Sequence, residues 1–391
     1  MKITDFCTGC RACEQLCPKN CISMKVSEEG FLFAYIDESI CINCGLCHKR
    51  CPQNNIQEKH EPLNVLAVRY NKDAELKNSA SGGAFVAVAH EMLSQGGVVF
   101  GAAYLDDWKV GHISVRTATE LWKLQGSKYV QSDTQKTYAE VKAYLDEGKM
   151  VLFSGTPCQI GGLRAFLRKD YDNLLTIDLI CHGVASPILF QKYIEWLGRT
   201  TKGKILYYNF RDKSGGWGLG YRAKTKTKTK TKTRPANLDP YYYHFLKGDT
   251  YRECCYHCIY CTKGRVGDIT VGDYWGIEKE HPSFYSTKGV SVMLLNTDKA
   301  VKWFELTKGM FYVQESTFEQ ASRMNHNLLS STKRTDIRST VYSKMNSMST
   351  DEYFDTILNV QVGLSTRIKG FLPMRIKLIF KTIKQKLWLQ I

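Results

Sequence analysis

Cys7-Thr-Gly-Cys10-Arg-Ala-Cys13-Glu-Gln-Leu-Cys17-Pro18 and Cys41-Ile-Asn-Cys44-Gly-Leu-Cys47-His-Lys-Arg-Cys51-Pro52 are the two stretches on which the reading of this chain turns. Each spaces its thiols by two, two and three residues and ends in proline. Three thiolates two residues apart can wrap one face of an iron–sulfur cubane, while the fourth, ahead of its proline, is carried to the neighbouring cluster. By that rule Cys7, Cys10, Cys13 and Cys51 hold one [4Fe-4S] cluster, and Cys41, Cys44, Cys47 and Cys17 hold the other. A pair of zinc sites would instead ask for two Cys-x2-Cys pairs per ion, and has no use for the ending before proline. Cys21 falls outside the pattern and reads as a small buried hydrophobe.

The doubled run is that of the bacterial two-cluster ferredoxins. With a hairpin expected over 22–36 between the quartets, residues 1–58 read as an α+β ferredoxin-like domain, and the polar stretch 57–62 as a linker. The rest of the 391 residues leaves room for further domains, and 43% hydrophobic residues with 17 Phe, 22 Tyr and 7 Trp exclude global disorder. The opening MKITDFCTGC has neither the charged nor the apolar region of a secretory signal. No apolar stretch approaches the ~18 residues of a membrane span. The expected location is therefore the cytoplasm, where 15 cysteines point to metal or redox chemistry rather than to disulfides.

The net charge of +16 is concentrated in two places. Lys224, Lys226, Lys228, Lys230, Lys232 and Arg234 supply six charges from a Lys-Thr repeat, and residues 322–391 supply eight more. Neither carries a recognition helix or a zinc-finger spacing, so no nucleic-acid partner is expected. The repeat over 224–233 alternates like a strand but has no apolar face. It reads as an expanded surface hairpin or a disordered loop without function.

Beyond the linker, strand-like runs over 97–103, 150–153, 174–180 and 290–296 alternate with helical patterns over 135–147, 160–168 and 188–197. Such alternation predicts an α/β core over 63–296 with a largely parallel or mixed sheet, followed by a helical, basic C-terminal region over 297–391. Within that region 373–391 reads as a helix. Ile376, Ile379, Phe380, Ile383, Leu387 and Ile391 share one stripe, and Arg375, Lys377, Lys381, Lys384 and Lys386 lie around the rest. Two readings stand: a helix packed on the core, or a peripheral contact with anionic lipid at the inner face of the cell membrane.

Six segments of the core concentrate Gly, Cys and polar residues at expected strand ends. They are Ser79-Ala-Ser-Gly-Gly83, Gly126-Ser-Lys-Tyr-Val-Gln-Ser132, Phe153-Ser-Gly-Thr-Pro-Cys-Gln-Ile160, Asp178-Leu-Ile-Cys-His-Gly183, Cys254-Cys-Tyr-His-Cys-Ile-Tyr-Cys261 and Gly267-Asp-Ile-Thr-Val-Gly-Asp-Tyr-Trp-Gly276. In this order they resemble the coenzyme F420 hydrogenase/dehydrogenase beta-subunit family. The resemblance runs from about residue 63 to 296. It implies FAD bound to the α/β core and one further [4Fe-4S] cluster, with Cys158, Cys181, Cys255 and Cys258 as ligands by position. Cys254 and Cys261 depart from the family pattern. They leave open a local set of Cys255, Cys258 and Cys261 with one distant partner, and a zinc site that includes His257.

For FAD, Ser81, Gly82 and Gly83 precede a helical stretch whose N-terminus could cradle the pyrophosphate. Ser127 and Lys128 would add polar and cationic contacts, and Gly155, Thr156 and Gln159 would neighbour the flavin. No catalytic residue stands out. The function so implied is an FAD- and [4Fe-4S]-dependent oxidoreductase. It would pass electrons between a one-electron carrier, such as ferredoxin or another redox protein, the clusters, FAD and a small-molecule or lipid-linked substrate. The basic tail suggests polysaccharide or surface-glycan biosynthesis. The rival reading is a non-catalytic relay subunit of a larger F420- or ferredoxin-linked oxidoreductase.

Overall fold

The computed structural model describes residues 3–217, 222–364 and the single positions 372, 376 and 379. At the N-terminus, strands β1 (Ile22–Val26) and β2 (Leu32–Ile36) form the expected hairpin, with Ile22 opposite Ile36. Two short helices, Ala12–Leu16 and Leu46–Lys49, flank it. Each starts from a left-handed residue, Arg11 or Gly45, placed directly after the second cysteine of its quartet. Ile3, Cys21, Ile22 and Ile36 form a small apolar floor beneath the cysteines. A unit this small cannot bury much by itself, so it leans on its cofactors and its neighbour.

The core is one eight-stranded sheet. Its strands are β3 (Asn64–Tyr70), β4 (Val98–Tyr104), β5 (Val110–Val115), β6 (Val151–Gly155) and β7 (Leu174–Leu179), then β11 (Ile269–Asp273), β12 (Ser291–Leu295) and β13 (Phe311–Ser316). The spatial order is β13-β3-β12-β11-β7-β6-β4-β5. The neighbours β4, β6, β7 and β11 run parallel, and the remaining pairings are antiparallel. The sheet is therefore mixed, with a parallel centre. Alternation along the strands makes two faces: Leu152, Leu175 and Ile177 pack under the helices Ala84–Ser94 and Asp298–Thr307. Val151, Phe153 and Leu174 pack under Thr137–Asp146 and Pro157–Leu167 on the other face.

The long crossover from β7 to β11 holds the helix Pro187–Thr201 and a second sheet of β8 (Tyr207–Asn209), β9 (Arg222–Lys226) and β10 (Thr231–Pro235), in the order β10-β9-β8. The Lys-Thr repeat is thus a hairpin, and the alternative of a disordered loop is corrected. Pairing with β8 gives it a partner, and Thr225 and Thr227 are buried. Lys226 stands opposite Thr231, Lys224 opposite Thr233, and Lys232 opposite Thr225. No lysine directly faces another in these pairs, which spares the ladder its like-charge repulsion.

The boundary at residue 296 also needs correction. The chain beyond it contributes the helices Asp298–Thr307, Phe318–Ser322, Ile337–Met345 and Thr350–Thr356. It also contributes β13, an edge strand of the core sheet paired with β3. Its half-polar pattern, Phe-Tyr-Val-Gln-Glu-Ser, is that of an edge and hides the strand from a search for apolar runs. The helix expected over 373–391 lies outside the described residues apart from Ile376 and Ile379, which have helical backbone and are exposed. No helix among the described residues is long and apolar enough to cross a membrane.

Candidate metal centres and ligand cleft

The two quartets meet in the crossed sets that their spacing predicts. One cavity is lined by Cys7, Cys10, Cys13 and Cys51, with Met24 and Ala34 beside them. A second is lined by Cys17, Cys41, Cys44 and Cys47, with Cys21 and Ile36. Among the described residues no three His, Cys, Asp or Glu side chains gather as they would around a single ion. The sulfurs instead border volumes, which suits a multi-atom cluster. Burial pushes the Cys10 thiol up to about 12. A thiol so placed becomes a thiolate when a metal takes it, so the donor set fits iron. Cys44 is exposed while the first cavity is more enclosed, so the second set is nearer the solvent.

The enclosed set is the one that meets the core. Gly162, on the helix Pro157–Leu167, abuts Cys10. Thr134 donates its hydroxyl to Cys10 O at 3.0 Å, Gln131 its amide to Thr8 O at 2.9 Å, and Arg252 Nε to Cys7 O at 2.8 Å. Arg11 joins Asp133 and Glu14, and Arg338 pairs with Glu29 on the hairpin at 2.5 and 2.6 Å.

Cys158 sits in the first turn of that same helix. Thr156 caps it, Pro157 opens it, and Gln159 completes a capping box. The Thr156 hydroxyl lies 3.1 Å from Cys158 Sγ. Cys158 is within electrostatic reach of Cys181, Cys258 and Cys254, Cys255 of Cys254, Cys181 and Cys158, and Cys261 of Cys258 and Cys181. All six core cysteines therefore share one nest, including the four carried over by resemblance and the two that depart from it. Burial drives the Cys158 thiol up, and lifts that of Cys181 to about 12. The hydrogen bond with Cys261 holds Cys258 down near 7. Arg265 clamps the two loops that bring these thiols together. It donates to Asp178 Oδ1 at 2.9 Å, Leu179 O at 3.0 Å and Tyr260 O at 2.8 Å, while Asp178 accepts from Gly267 N at 3.0 Å.

Beside the nest a cleft of about 1670 Å³, open mouth included, lies along the carboxyl edge of the parallel strands. That edge is where open α/β sheets place their ligands. Cys158, Cys181, Thr8 and Gly9 reach its wall, so the ferredoxin unit and the core cysteines both border it. Ser81, Gly83, Ser127, Lys128, Gly155, Thr156 and Gln159 line it as expected. Gly82 does not line it. Its N–H donates to Ser291 Oγ at 2.9 Å, and a Cβ there would collide with the backbone of β3 and of Val290–Ser291, so this glycine serves the close approach of chain to sheet. Thr156 and Gln159 touch the cleft, but the Gln159 amide is occupied: Oε1 accepts from Thr156 N at 2.9 Å and Nε2 donates to Ser132 O at 3.1 Å.

The cleft favours an anion. Gly83, at φ +79, starts the helix Ala84–Ser94 with no side-chain cap, and the first turn lies on the wall. Lys128 donates to Lys123 O at 3.1 Å and Gln125 O at 2.9 Å, and burial lowers its ammonium to about 7. Behind Ser81, Lys213 donates to Ser81 O and Lys288 O at 2.9 and 2.7 Å and is lowered to about 7 by the same cause. These residues fit a phosphate-bearing dinucleotide.

Sequence reasoning missed several wall residues. Arg211 forms a buried two-point ion pair with Asp273, 2.7 and 2.9 Å, and donates to Tyr129 OH and Ala80 O at 3.0 and 3.1 Å, tying three walls together. Asp273 and Trp275 lay within the quoted Gly267–Gly276 motif, but Arg211 had no local signal. His112 stacks on Phe153 with ring centres 5.2 Å apart, and burial lowers it to about 4. Ser154 O, 3.0 Å from Nε2, can only accept, so that nitrogen carries the proton and Nδ1 accepts from the Ser132 hydroxyl at 2.8 Å.

Two crossed cysteine quartets on a hairpin, docked against a mixed α/β sheet with its own cysteine nest and cleft, define an iron–sulfur electron-transfer protein. Residues 6–55 match the 4Fe-4S dicluster domain. Residues 148–320 belong to the coenzyme F420 hydrogenase/dehydrogenase family, matching the C terminus of its beta subunit. That match runs past residue 296 and takes in β13. Among solved structures the chain is similar to a chain of the F420-reducing [NiFe] hydrogenase complex from Methanosarcina barkeri, studied as a xenon derivative. The likeness has 18% identity over 66% of this chain and 83% of that one, with a TM-score of 0.45. No curated protein matches.

Proposed function

We propose that the chain is an iron–sulfur flavoprotein oxidoreductase that passes electrons between an external one-electron carrier and an organic substrate in the cleft. Cys17, Cys41, Cys44 and Cys47 would hold the outer cluster, Cys7, Cys10, Cys13 and Cys51 the inner one, and the core nest a third, with Cys158, Cys181, Cys255 and Cys258 as its ligands. The cleft would hold FAD. When bound, the clusters carry single electrons and the flavin takes one or two, which is what joins such a chain to two-electron chemistry. The observation that carries the proposal is the helix Pro157–Leu167: Cys158 at its start borders the cleft, and Gly162, four residues on, abuts Cys10. Four residues of helix advance only about 6 Å. One rigid element thus spans from the inner quartet to the cleft.

The chain's own residues would bind and orient. The first turn of Ala84–Ser94 and Lys128 would take the pyrophosphate, Arg211 and Asp273 would hold the walls in register, and His112 would stay neutral throughout the physiological range. Anaerobic reconstitution tests the reading. About twelve iron atoms, four per cluster, with released flavin and turnover by the single protein would support it, and eight iron atoms without flavin would defeat it. A relay subunit is the second reading, favoured by the subunit family to which residues 148–320 belong. It is distinguished by full iron, no flavin, and electron transfer only in the presence of a partner. The narrower proposal of a lipid-linked glycan substrate rests on the basic segment 373–391. Its test is co-sedimentation with anionic liposomes of the full chain against one ending at Leu372, and equal partitioning removes it.

A further inference from the structure

Arg252 is 1% exposed, and its described hydrogen bonds all end on neutral acceptors. Nε donates to Cys7 O at 2.8 Å, Nη2 to Leu32 O at 2.8 Å and Nη1 to Gln131 Oε1 at 3.3 Å. The rings of Phe31 and Phe33 lie over it at 5.3 and 4.1 Å. Among the described residues no carboxylate forms an ion pair with it. The other deeply buried arginines beside the cleft have one, Arg265 with Asp178 and Arg211 with Asp273. A guanidinium keeps its proton inside proteins, and a charge so buried is costly unless an opposite charge answers it.

Its surroundings say what that charge is. Arg252 lies two residues before Cys254 and three before Cys255, and its guanidinium acts on the Cys254 thiol. The same group holds the carbonyl of Cys7. Gly9, between Cys7 and Cys10, has φ +70, and a Cβ there would come 3.3 Å from Nη1. The loop bearing the inner thiols is thus brought against the guanidinium by the one residue without a side chain.

We propose that Arg252 is a positioning residue shared by two iron–sulfur centres, the inner quartet and the core nest, and that its fixed charge favours the reduced state of both. The inference rests on the reading that both sets hold clusters. Four thiolates make a cluster a net anion, and one electron, given by a carrier that is itself oxidised by one electron, adds one more negative charge. No bond forms or breaks and Arg252 releases no proton. Because the guanidinium touches both loops, it lowers the electrostatic penalty of an electron resting on either side, and so levels the step between them.

The test is a mediated redox titration of the full, anaerobically reconstituted chain, read by visible absorbance and electron paramagnetic resonance. Arg252→Met should keep the iron of the wild type and lower the ratio of reduced to oxidised cluster at a fixed potential tenfold or more for the inner and core signals, about 59 mV for one electron. The outer signal should stay put. Arg252→Lys keeps the charge and loses the fork, so it should titrate like the wild type. An Arg252→Met protein with full iron and unchanged potentials overturns the inference, as does an Arg252→Lys protein with potentials lowered tenfold. Should Arg252→Met fail to hold iron, the Arg252→Lys titration decides alone. A wild type that binds iron only at the outer quartet overturns the reading itself, and this inference with it.

Discussion

Gly162 and Cys10 touch across the seam between the ferredoxin-like unit and the core: a Cβ on Gly162 would stand 3.0 Å from Cys10 Cβ and 3.1 Å from its Sγ. It would also lie 2.7 Å from the Tyr138 hydroxyl, which donates to Gln159 O at 2.8 Å. Within a helix, alanine ordinarily gains about 1 kcal/mol over glycine. Here the neighbours are a cluster ligand and a buried phenol, and overpacking costs about 1–3 kcal/mol. Gly162→Ala should therefore lower the anaerobic melting temperature and shed iron from the inner quartet first. A variant that melts at or above the wild type with all its iron would show that the seam is loose.

Crossed ligation makes opposite predictions for the two cysteines before proline. Cys17 lines the cavity of Cys41, Cys44 and Cys47, and Cys51 lines that of Cys7, Cys10 and Cys13. Cys17→Ala should abolish the outer cluster's signal and leave the inner one, and Cys51→Ala should do the reverse. Loss of the sequence-local cluster in either variant would mean that each quartet closes on itself.

The quartets were legible because their spacing is fixed by the size of the object they wrap, a local constraint that no tertiary contact can override. The central strands β4, β6, β7 and β12 were legible as buried apolar runs, each matched within two residues. What was not legible depends on distance along the chain. Arg211 and Asp273 are 62 residues apart, and their pairing exists only once the β7-to-β11 crossover has folded. The edge strands β5 and β13 lack the continuous apolar run of a strand covered on both faces. One signal was legible and had a second meaning: Thr156-Pro-Cys-Gln159 suits a flavin contact and is also a capping box, and the structure uses the Gln159 amide as the cap. That cap starts the helix at Pro157, three residues before the apolar periodicity begins.

The core nest separates the carried-over ligand set from the local one. Cys158 reaches the nest from the helix after β6 and Cys181 from the loop after β7, so both depend on the sheet for their position. Cys158→Ala and Cys258→Ala should each remove about four iron atoms and bleach the same spectral feature, while Cys254→Ala leaves it. If Cys254→Ala and Cys261→Ala abolish the feature and Cys158→Ala spares it, the nest is a local site and the family pattern does not apply to it.

Lys128 gives the cleft a pH dependence whose sign follows from burial alone. Its ammonium is lowered to about 7, against ~10.4 for an unfolded lysine. Below pH 7 both states hold the proton and the cost of the buried charge is fully present. From pH 7 to about 10.4 the unfolded chain holds more protons, so this residue makes stability rise with pH until the cost is gone. An anion bound beside Lys128 raises its pKa again, so binding above pH 7 must draw a proton from solvent. Calorimetric titration of flavin-free protein with FAD at pH 8, in two buffers of different ionisation heat, should reveal that uptake, and affinity should fall from pH 7 to pH 9. At pH 6 the uptake should vanish. Lys128→Met should reduce it, whereas Lys213→Met, which removes a lysine behind Ser81 rather than on the wall, should largely preserve it. Equal uptake in the wild type and Lys128→Met would place the phosphates elsewhere in the cleft.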